Sequence, residues 1–166
     1  GFNFVAEAKS IIRVFEMGFG TGLNALLTYK KAIENNLQIH YTAVETYPLL
    51  KEEFNILNYG QHLNLQSTFL QIHQSNWNED AMLNEHFVLH KNDTSLQTFS
   101  TNEKFDLIYH DAFAPTIQPE LWTIEIFQKY FSMLNENGVL VTYSSKGDVR
   151  RNLLTAGFSV QKLKGA

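Results

Sequence analysis

The sequence of 166 residues contains no cysteine, so it has neither disulfide bonds nor thiolate ligands for a metal. Its apolar runs fall far short of the ~20 residues that a helix needs to cross a bilayer. No secretory signal peptide opens it either. These absences exclude disulfide-rich and membrane-spanning classes of protein, and we expect one soluble, cytoplasmic domain over residues 1–166.

Signature motifs of several other enzyme classes are missing as well. No Gly-Lys-Ser or Gly-Lys-Thr follows the glycine-rich segment at residues 18–22, which excludes a P-loop for nucleoside triphosphates. The G-x-S-x-G elbow of an α/β-hydrolase does not occur. His86 and His90 are four residues apart, but on a strand they do not converge on one ion. We therefore expect no metal site.

Basic residues are too few for a broad positive surface, because 13 Lys and Arg stand against 17 Asp and Glu. Their distribution is nevertheless uneven. Residues 1–139 hold 8 basic and 16 acidic side chains, whereas residues 140–166 hold 5 basic side chains and 1 acidic one. This asymmetry is compatible with an anionic partner on one face or with an ordinary solvated surface, and charge alone does not choose between them.

Strand-like and helix-like segments alternate along the chain. Runs of β-branched and aromatic residues predict strands over residues 11–16, 38–45, 86–91, 105–109, 139–143 and 158–163. Apolar residues at helical spacing predict helices over residues 23–35, 49–57, 63–72, 95–99, 120–135 and 148–156, with another over 4–9. Such an alternation predicts a Rossmann-like, doubly wound α/β fold with a mostly parallel sheet.

A glycine-rich turn follows the first strand, with Gly18, Gly20 and Gly22 at alternate positions. Glycine takes φ > 0 without strain and lets a ligand lie against the backbone, so we favour ligand binding over a purely structural turn. The strand ends on Glu16, which would repel a pyrophosphate but suits the ammonium and sulfonium groups of S-adenosylmethionine. The spacing also differs from the GxGxxG of dinucleotide sites. We place Asn24, in the first helical turn, with the cofactor-binding residues.

Four acidic residues come at the predicted carboxyl ends of strands, where ligands bind in such sheets: Glu16, Glu45, Asp93 and Asp111. Glu45 is positioned to accept hydrogen bonds from both ribose hydroxyls, although it also suits the N-terminus of the next helix. Asp93 can accept from the adenine amino group, and its alternative role is to cap a helix at Thr94.

Asp111 is the candidate catalytic residue, on a stiff and mostly apolar loop at residues 112–115. A carboxylate there can hydrogen-bond an amine, accept its proton and align the nitrogen lone pair with a methyl donor. This matters because a primary amine, with a pKa of ~10 by analogy with lysine, is protonated at neutral pH and has no free lone pair. The alternative is an acid that only caps the turn.

The candidates for substrate binding come from two later segments. Phe113 and Pro115 belong to the loop after Asp111, and Trp122 can stack on a base or support the loop from the core. After the fifth predicted strand follow the basic residues Lys146, Arg150 and Arg151. Basic side chains beside a ligand cleft can bind the phosphates of a polynucleotide.

With these residues assembled, the chain resembles the methyltransferase domain of the bacterial tRNA wobble-uridine enzymes of the MnmC type, including their stand-alone relatives. The matching segments are FEMGFGTGLNALLT at 15–28, ETYP at 45–48, FDLIYHDAFAPTIQPELWT at 105–123 and YSSKGDVRRNLLTAGF at 143–158. The second pair of segments is much more specific than the glycine turn.

The resemblance implies a class I S-adenosylmethionine-dependent methyltransferase. The implied reaction converts 5-aminomethyl-2-thiouridine to 5-methylaminomethyl-2-thiouridine at the tRNA wobble position. Carried over by position, the resemblance assigns the cofactor to Gly18, Gly20 and Gly22, the ribose to Glu45, the adenine to Asp93 and the amine to Asp111.

The sequence departs from that family in two respects. It contains no FAD-dependent oxidoreductase domain, and the last antiparallel strand of the fold is absent after residue 165, so we expect the domain to lack its C-terminal end. Two other functions stay open from the residues alone: methylation of a small-molecule amine, and ligand binding without catalysis on a decayed methyltransferase fold. An NAD-dependent dehydrogenase is disfavoured by the glycine spacing and by Glu16.

Overall fold

The computed structural model describes residues 11–163, in which strands and helices alternate. The predicted helix over 4–9 lies outside these residues. The strands are β1 Ile11–Met17, β2 Gln38–Glu45, β3 Asp80–Asn84, β4 Phe87–Asp93, β5 Phe105–His110 and β6 Leu134–Thr142. The helices are α1 Leu23–Glu34, α2 Lys51–Asn55, α3 Tyr59–His62, α4 Gln66–Gln74, α5 Ile124–Met133 and α6 Gly147–Thr155, with a 3₁₀ turn over Pro119–Leu121.

The six strands form one sheet in the order β3-β4-β2-β1-β5-β6. All neighbouring strands are parallel except β3, which runs antiparallel to β4. From β1 the chain first adds strands on one side, through β2 and β4, and then on the other, through β5 and β6. The strand order therefore reverses between β1 and β5, and the predicted doubly wound, mostly parallel sheet is confirmed.

Apolar side chains cover both faces of this sheet, because alternate residues of a strand point to opposite sides. On β1, the side chain of Val14 packs in the layer that α1 and α4 complete, whereas Phe15 packs in the layer of α5 and α6. Both side chains are fully buried. Burial on two faces explains why the strands appear in the sequence as nearly continuous hydrophobic runs.

The predicted strand over 158–163 is wrong, because these residues carry no strand pairing. Gly157 ends α6 with φ +106°, and the next amide, of Phe158, donates to the Leu153 carbonyl at 3.1 Å. The Phe158 ring then packs edge-on against Phe131 of α5, with centroids 5.2 Å apart. The chain is thus directed onto a helix instead of the sheet. Within residues 11–163, no strand pairs with the outer edge of β6.

Two predicted helices also differ from the structure. The helix expected over 120–135 is interrupted, because Thr123 caps α5 by accepting a hydrogen bond from the amide of Ile126. Residues 96–98 form a turn and not the helix expected over 95–99.

The antiparallel strand β3 was not predicted, since its sequence DAMLN lacks β-branched residues and regular alternation. No helix within residues 11–163 is long and apolar enough to cross a membrane.

Candidate active site

A cleft of about 510 Å³ opens at the carboxyl edge of the sheet, where the strand order reverses between β1 and β5. Its walls are the glycine turn after β1, the end of β2, and the loop after β5. Among the side chains that line it are Phe19, Asn24, Glu45, Asp111, Phe113 and Tyr143. The sheet thus brings together residues that lie more than a hundred positions apart in the sequence.

All three glycines of the turn have the left-handed backbone that their sequence pattern predicts, with φ +86° at Gly18, +47° at Gly20 and +67° at Gly22. A Cβ atom at Gly18 would lie 2.8 Å from the backbone carbonyl oxygen of Asp111. The Gly18 amide donates to the Val44 carbonyl at 3.1 Å, and the Asp111 amide donates to the Met17 carbonyl at 3.1 Å. Close backbone approach to Asp111 therefore requires glycine at position 18.

His73 supports the turn from below. Its Nε2–H donates to the carbonyl of Thr21 at 3.1 Å, and a Cβ atom at Gly22 would lie 3.1 Å from the same nitrogen. Burial lowers the pKa of His73 to about 4, so the imidazole is neutral at physiological pH. This buried histidine was not among the residues predicted from the sequence.

Glu45 lies at the end of β2 and lines the cleft. Its carboxylate accepts hydrogen bonds from the amide of Gly20 and from the amide of Tyr47, each at 2.9 Å. A carboxylate has about four lone-pair positions, so two remain for a ligand. The two amide contacts fix this side chain in a position from which it can accept from a ribose.

Glu16 lies beneath the floor of the cleft and does not line it. Its side chain is buried, and it accepts hydrogen bonds from Asn24 Nδ2 at 2.8 Å and from the Tyr41 hydroxyl at 2.8 Å. Burial raises the pKa of Glu16 to about 8 although both hydrogen bonds oppose that change. The sequence suggested that Glu16 attracts a charged ligand directly. In the structure this side chain is buried and instead supports the residues around the glycine turn.

The catalytic candidate Asp111 follows β5, and its carboxylate is exposed in the cleft. Its Oδ2 accepts a hydrogen bond from Asn24 Nδ2 at 3.0 Å. The backbone just after Asp111 is braced by side chains, because the Tyr143 hydroxyl donates to the Ala112 carbonyl at 2.9 Å. The carboxylate is thus presented to solvent from a rigid backbone.

In the same loop, the backbone amide and the backbone carbonyl of Phe113 are both hydrogen-bonded to side chains. Its carbonyl accepts from Trp122 Nε1 at 2.8 Å, and its amide donates to Gln118 Oε1 at 3.2 Å. The Phe113 ring itself is 70% exposed. Pro115 is half-buried in the same loop and is not among the residues that line the cleft.

Trp122 does not line the cleft, which contradicts the stacking role suggested for it. Its side chain is 3% exposed and packs edge-on against His110, with ring centroids 4.4 Å apart. A buried indole cannot stack on a base, but its N–H supports the Phe113 peptide. Tyr143 and Gln118, which the sequence did not single out, line the cleft and brace the loop. In the sequence, Tyr143 is marked only by its place at the end of a strand, and Gln118 only by its place directly before Pro119.

The remaining candidates lie at the same edge of the sheet but outside the cleft lining. Asp93 is exposed at the end of β4, where it is the strand neighbour of Glu45. Lys146, Arg150 and Arg151 are exposed at the start of α6, and Arg151 forms an ion pair with Asp148. Within the described residues no cluster of three or more His, Cys, Asp or Glu is arranged to hold a metal ion.

Comparison with known sequences adds a family to this geometry. A family model described as S-adenosyl-L-methionine-dependent methyltransferase matches residues 34–166. The tRNA 5-methylaminomethyl-2-thiouridine biosynthesis bifunctional protein MnmC of Campylobacter fetus subsp. fetus (strain 82-40) is 34% identical over 175 residues, which cover 96% of this chain and 27% of that protein. MnmC of Leptospira interrogans serogroup Icterohaemorrhagiae serovar Lai (strain 56601) is 29% identical over 161 residues, or 92% of this chain and 25% of that protein. The chain therefore spans about a quarter of the length of these curated relatives.

Solved structures agree with this similarity. The crystal structure of MnmC2 from Aquifex aeolicus matches with a TM-score of 0.72 and 32% identity, over 91% of this chain and 48% of that chain. A putative methyltransferase from Thermoplasma acidophilum matches with a TM-score of 0.50 and 14% identity, over 92% of this chain and 52% of that one, which shows likeness of fold alone. These matches confirm the resemblance to MnmC and the methyltransferase fold expected from the sequence. Because the family model matches most of its length, this chain belongs to the S-adenosyl-L-methionine-dependent methyltransferase family.

Proposed function

We propose that this chain transfers a methyl group from S-adenosylmethionine to the exocyclic amine of 5-aminomethyl-2-thiouridine at the tRNA wobble position, giving 5-methylaminomethyl-2-thiouridine. One observation carries the proposal. The exposed carboxylate of Asp111 lies in the same cleft as the glycine turn, on a loop braced by Trp122 and Tyr143. The relatives' names supply the substrate class, since two MnmC proteins of tRNA 5-methylaminomethyl-2-thiouridine biosynthesis match over nearly the whole chain.

The residues at the turn suit S-adenosylmethionine, which supplies an electrophilic methyl group when bound. Gly18 and Gly20 line the cleft and present backbone without a side chain, against which a ligand can lie. Glu45 keeps lone pairs for the ribose hydroxyls after accepting two amides. Asp93, beside Glu45 at the end of the neighbouring strand, is our candidate for the adenine amino group. The cleft volume of about 510 Å³ lies in the usual range for a small-molecule site.

Asp111 would act on the amine in two ways. Its carboxylate accepts the proton that a primary amine carries at neutral pH, which frees the nitrogen lone pair for attack. It also holds the amine in one direction, since its own backbone is fixed by the contact with Met17. As the nitrogen gains positive charge during methyl transfer, the nearby carboxylate stabilises that charge.

The other residues near the cleft suit a nucleotide. The exposed ring of Phe113 offers a flat apolar surface beside Asp111 on which a base can stack. Lys146, Arg150 and Arg151 extend the same edge of the molecule and can bind backbone phosphates. A tRNA would thus contact the chain through one unpaired base and a short basic segment.

Replacing Asp111 tests this proposal. Asp111→Asn preserves the size of the side chain but removes the proton acceptor, so turnover on tRNA should fall by roughly 100-fold or more. Binding of S-adenosylmethionine, measured by calorimetry, should stay near the wild-type value. Asp80→Asn, an exposed acid on the opposite edge strand β3, is the matched control and should leave turnover unchanged. Loss of cofactor binding in Asp111→Asn would make Asp111 a structural residue.

The substrate class is tested separately. Methylation is measured on tRNA that carries 5-aminomethyl-2-thiouridine and on free primary amines of similar size. The proposal predicts methylation of the tRNA, with binding that weakens as salt increases. Preference for the free amine would assign a small-molecule substrate instead. No calorimetric binding of S-adenosylmethionine to the wild-type chain would indicate a non-catalytic module.

A further inference from the structure

The side-chain amide of Asn24 joins two carboxyl groups of the site. Its Nδ2 lies 2.8 Å from Glu16 Oε1 and 3.0 Å from Asp111 Oδ2. A carboxamide –NH₂ has two hydrogens, so each carboxyl group receives one of them. The orientation of this amide follows from its partners, because the opposite orientation would direct its carbonyl oxygen at the Asp111 carboxylate.

One of the two carboxyl groups, that of Glu16, is firmly anchored. Glu16 is buried, and its second oxygen accepts from the hydroxyl of Tyr41 at 2.8 Å. Tyr41 is itself buried and stacks on Phe87, with ring centroids 5.7 Å apart. Glu16 therefore has little freedom to move, and Asn24 transmits that fixed position to the surface of the cleft.

The other carboxylate would be mobile without this contact. Asp111 is exposed, and its backbone anchor to Met17 leaves the side chain free to rotate. An exposed carboxylate can sample several rotamers, and the hydrogen bond from Asn24 favours the one in which Oδ2 accepts it. Misplacing a reacting group by about 1 Å can cost on the order of 100-fold in rate.

We propose that Asn24 is a positioning residue that ties the Asp111 carboxylate to the buried Glu16. This inference rests on the proposed role of Asp111 in methyl transfer. The amide holds Oδ2 of Asp111, which leaves Oδ1 available to the substrate amine. The assignment differs from the cofactor-binding role expected for Asn24 from its place in the glycine motif, because both donors of its amide are already occupied by protein.

A spectroscopic experiment tests the contact without requiring activity. The side-chain ¹⁵N–H₂ resonances of Asn24 are recorded in the cofactor-free protein and assigned with Asn24→Ala. Asp111→Ala should shift one of the two amide protons, and Glu16→Gln should shift the other. Resonances that stay unchanged in Asp111→Ala would overturn the proposal, whatever the enzyme proves to methylate.

Kinetics test the consequence. Asn24→Ala should lower kcat on tRNA by roughly 10- to 100-fold, since Asp111 is then released. The dissociation constant of S-adenosylmethionine should change much less than kcat. Asn24→Asp has the same shape without donors and should be at least as impaired, which separates hydrogen bonding from space filling. Asn76→Ala is the matched control, because that exposed amide also donates to a carboxylate, Glu79, at 2.9 Å.

The outcomes are distinguishable from failure of the proposed function. If wild-type protein methylates no tRNA but the Asn24 resonances respond to Asp111→Ala, the proposed substrate is wrong and the contact stands. If Asn24→Ala lowers kcat only by abolishing cofactor binding, Asn24 is a cofactor residue and the positioning role is wrong. If Asn24→Asp does not fold, as judged by its amide spectrum, Asn24→Ala and Glu16→Gln decide.

Discussion

The two walls of the cleft are held by different kinds of contact. The glycine-turn wall depends on backbone amides of the turn, since the Gly18 amide donates to the Val44 carbonyl and the Gly20 amide donates to the Glu45 carboxylate, both on the adjacent strand β2. The Asp111-loop wall depends on side chains from later segments, namely Trp122, Gln118 and Tyr143. The first wall therefore depends mainly on the pairing of β1 with β2 and on His73 of α4, whereas the second depends on residues after β6 and before α5.

The backbones of the two walls come into close contact where Gly18 passes the carbonyl of Asp111. A side chain there should damage both of them. The substitution Gly18→Ala adds a Cβ atom 2.8 Å from that carbonyl, at a φ of +86° that L-residues rarely adopt. We expect a loss of roughly 3 kcal/mol of unfolding free energy, measured by urea denaturation, from strain and overpacking together. Cofactor binding and turnover should both be lost.

Gly20→Ala is the matched control for Gly18→Ala. Gly20 also has a left-handed backbone, with φ +47°, but the nearest atom to an added Cβ is 3.8 Å away. Its cost should therefore be limited to backbone strain, about 1 kcal/mol. Equal losses in the two variants would show that contact between the walls contributes nothing beyond the glycine conformation.

The same difference explains what the sequence could predict. The turn at residues 18–22 is a local pattern, since the φ > 0 that it needs is encoded by the glycines themselves. The places of Glu45 and Asp111 at the cleft could also be predicted, because a strand that ends on an acid places the acid at the carboxyl edge of the sheet. The doubly wound, mostly parallel sheet followed from the alternation of elements. These parts of the fold and the site depend on short segments.

Long-range contacts could not be predicted in this way. The sequence around Trp122 is equally compatible with a ring that stacks on a base and with a buried ring that supports the loop. The packing of His110 against this ring shows that it is buried. Asn24 likewise stands in the glycine motif, whereas its two partners come from β1 and from the loop after β5. The strand expected over 158–163 does not form, because its first residue, Phe158, packs on Phe131 of α5. Each of these outcomes depends on which distant residues lie next to the side chain in the fold. The spacing of apolar residues along the sequence contains no such information.

A change of pH should have a smaller effect on the free energy of unfolding, through buried groups near both walls. His73 lies under the glycine turn and His110 at the end of β5, and burial lowers the pKa of each from 6.5 to about 4. The unfolded chain therefore binds two more protons than the folded chain between pH 4 and 6.5, and acid destabilises the fold. Glu16 acts in the opposite direction, because burial raises its pKa from 4.5 to about 8 and the folded state holds that proton.

These signs predict a maximum of stability near pH 6.5. Between pH 6.5 and 8 Glu16 acts alone, and stability should fall with rising pH by at most about 1.4 kcal/mol per unit. Between pH 4.5 and 6.5 the two histidines outweigh Glu16 by one proton, and stability should fall by a similar amount per unit as pH falls.

Urea unfolding across pH 4.5–8 measures both limbs of this curve, the acid limb below pH 6.5 and the alkaline limb above it. Glu16→Gln should flatten the alkaline limb and steepen the acid limb, because it no longer opposes the two histidines there, whereas His73→Gln or His110→Gln should flatten the acid limb. An unchanged alkaline limb in Glu16→Gln would contradict the buried, protonated carboxyl.

The smallest expected effect on stability isolates the Asp111-loop wall. Tyr143→Phe removes only the hydroxyl that donates to the Ala112 carbonyl at 2.9 Å. Because this tyrosine is 59% exposed, the loss of unfolding free energy should stay below about 1 kcal/mol. Turnover should nevertheless fall several-fold, since the backbone next to Asp111 loses a support, while S-adenosylmethionine binding by calorimetry stays unchanged. Tyr47→Phe, a more exposed tyrosine beside Glu45, is the control and should alter neither quantity. Weaker cofactor binding in Tyr143→Phe would mean that the two walls are not held independently, and that the loop after β5 also shapes the glycine turn.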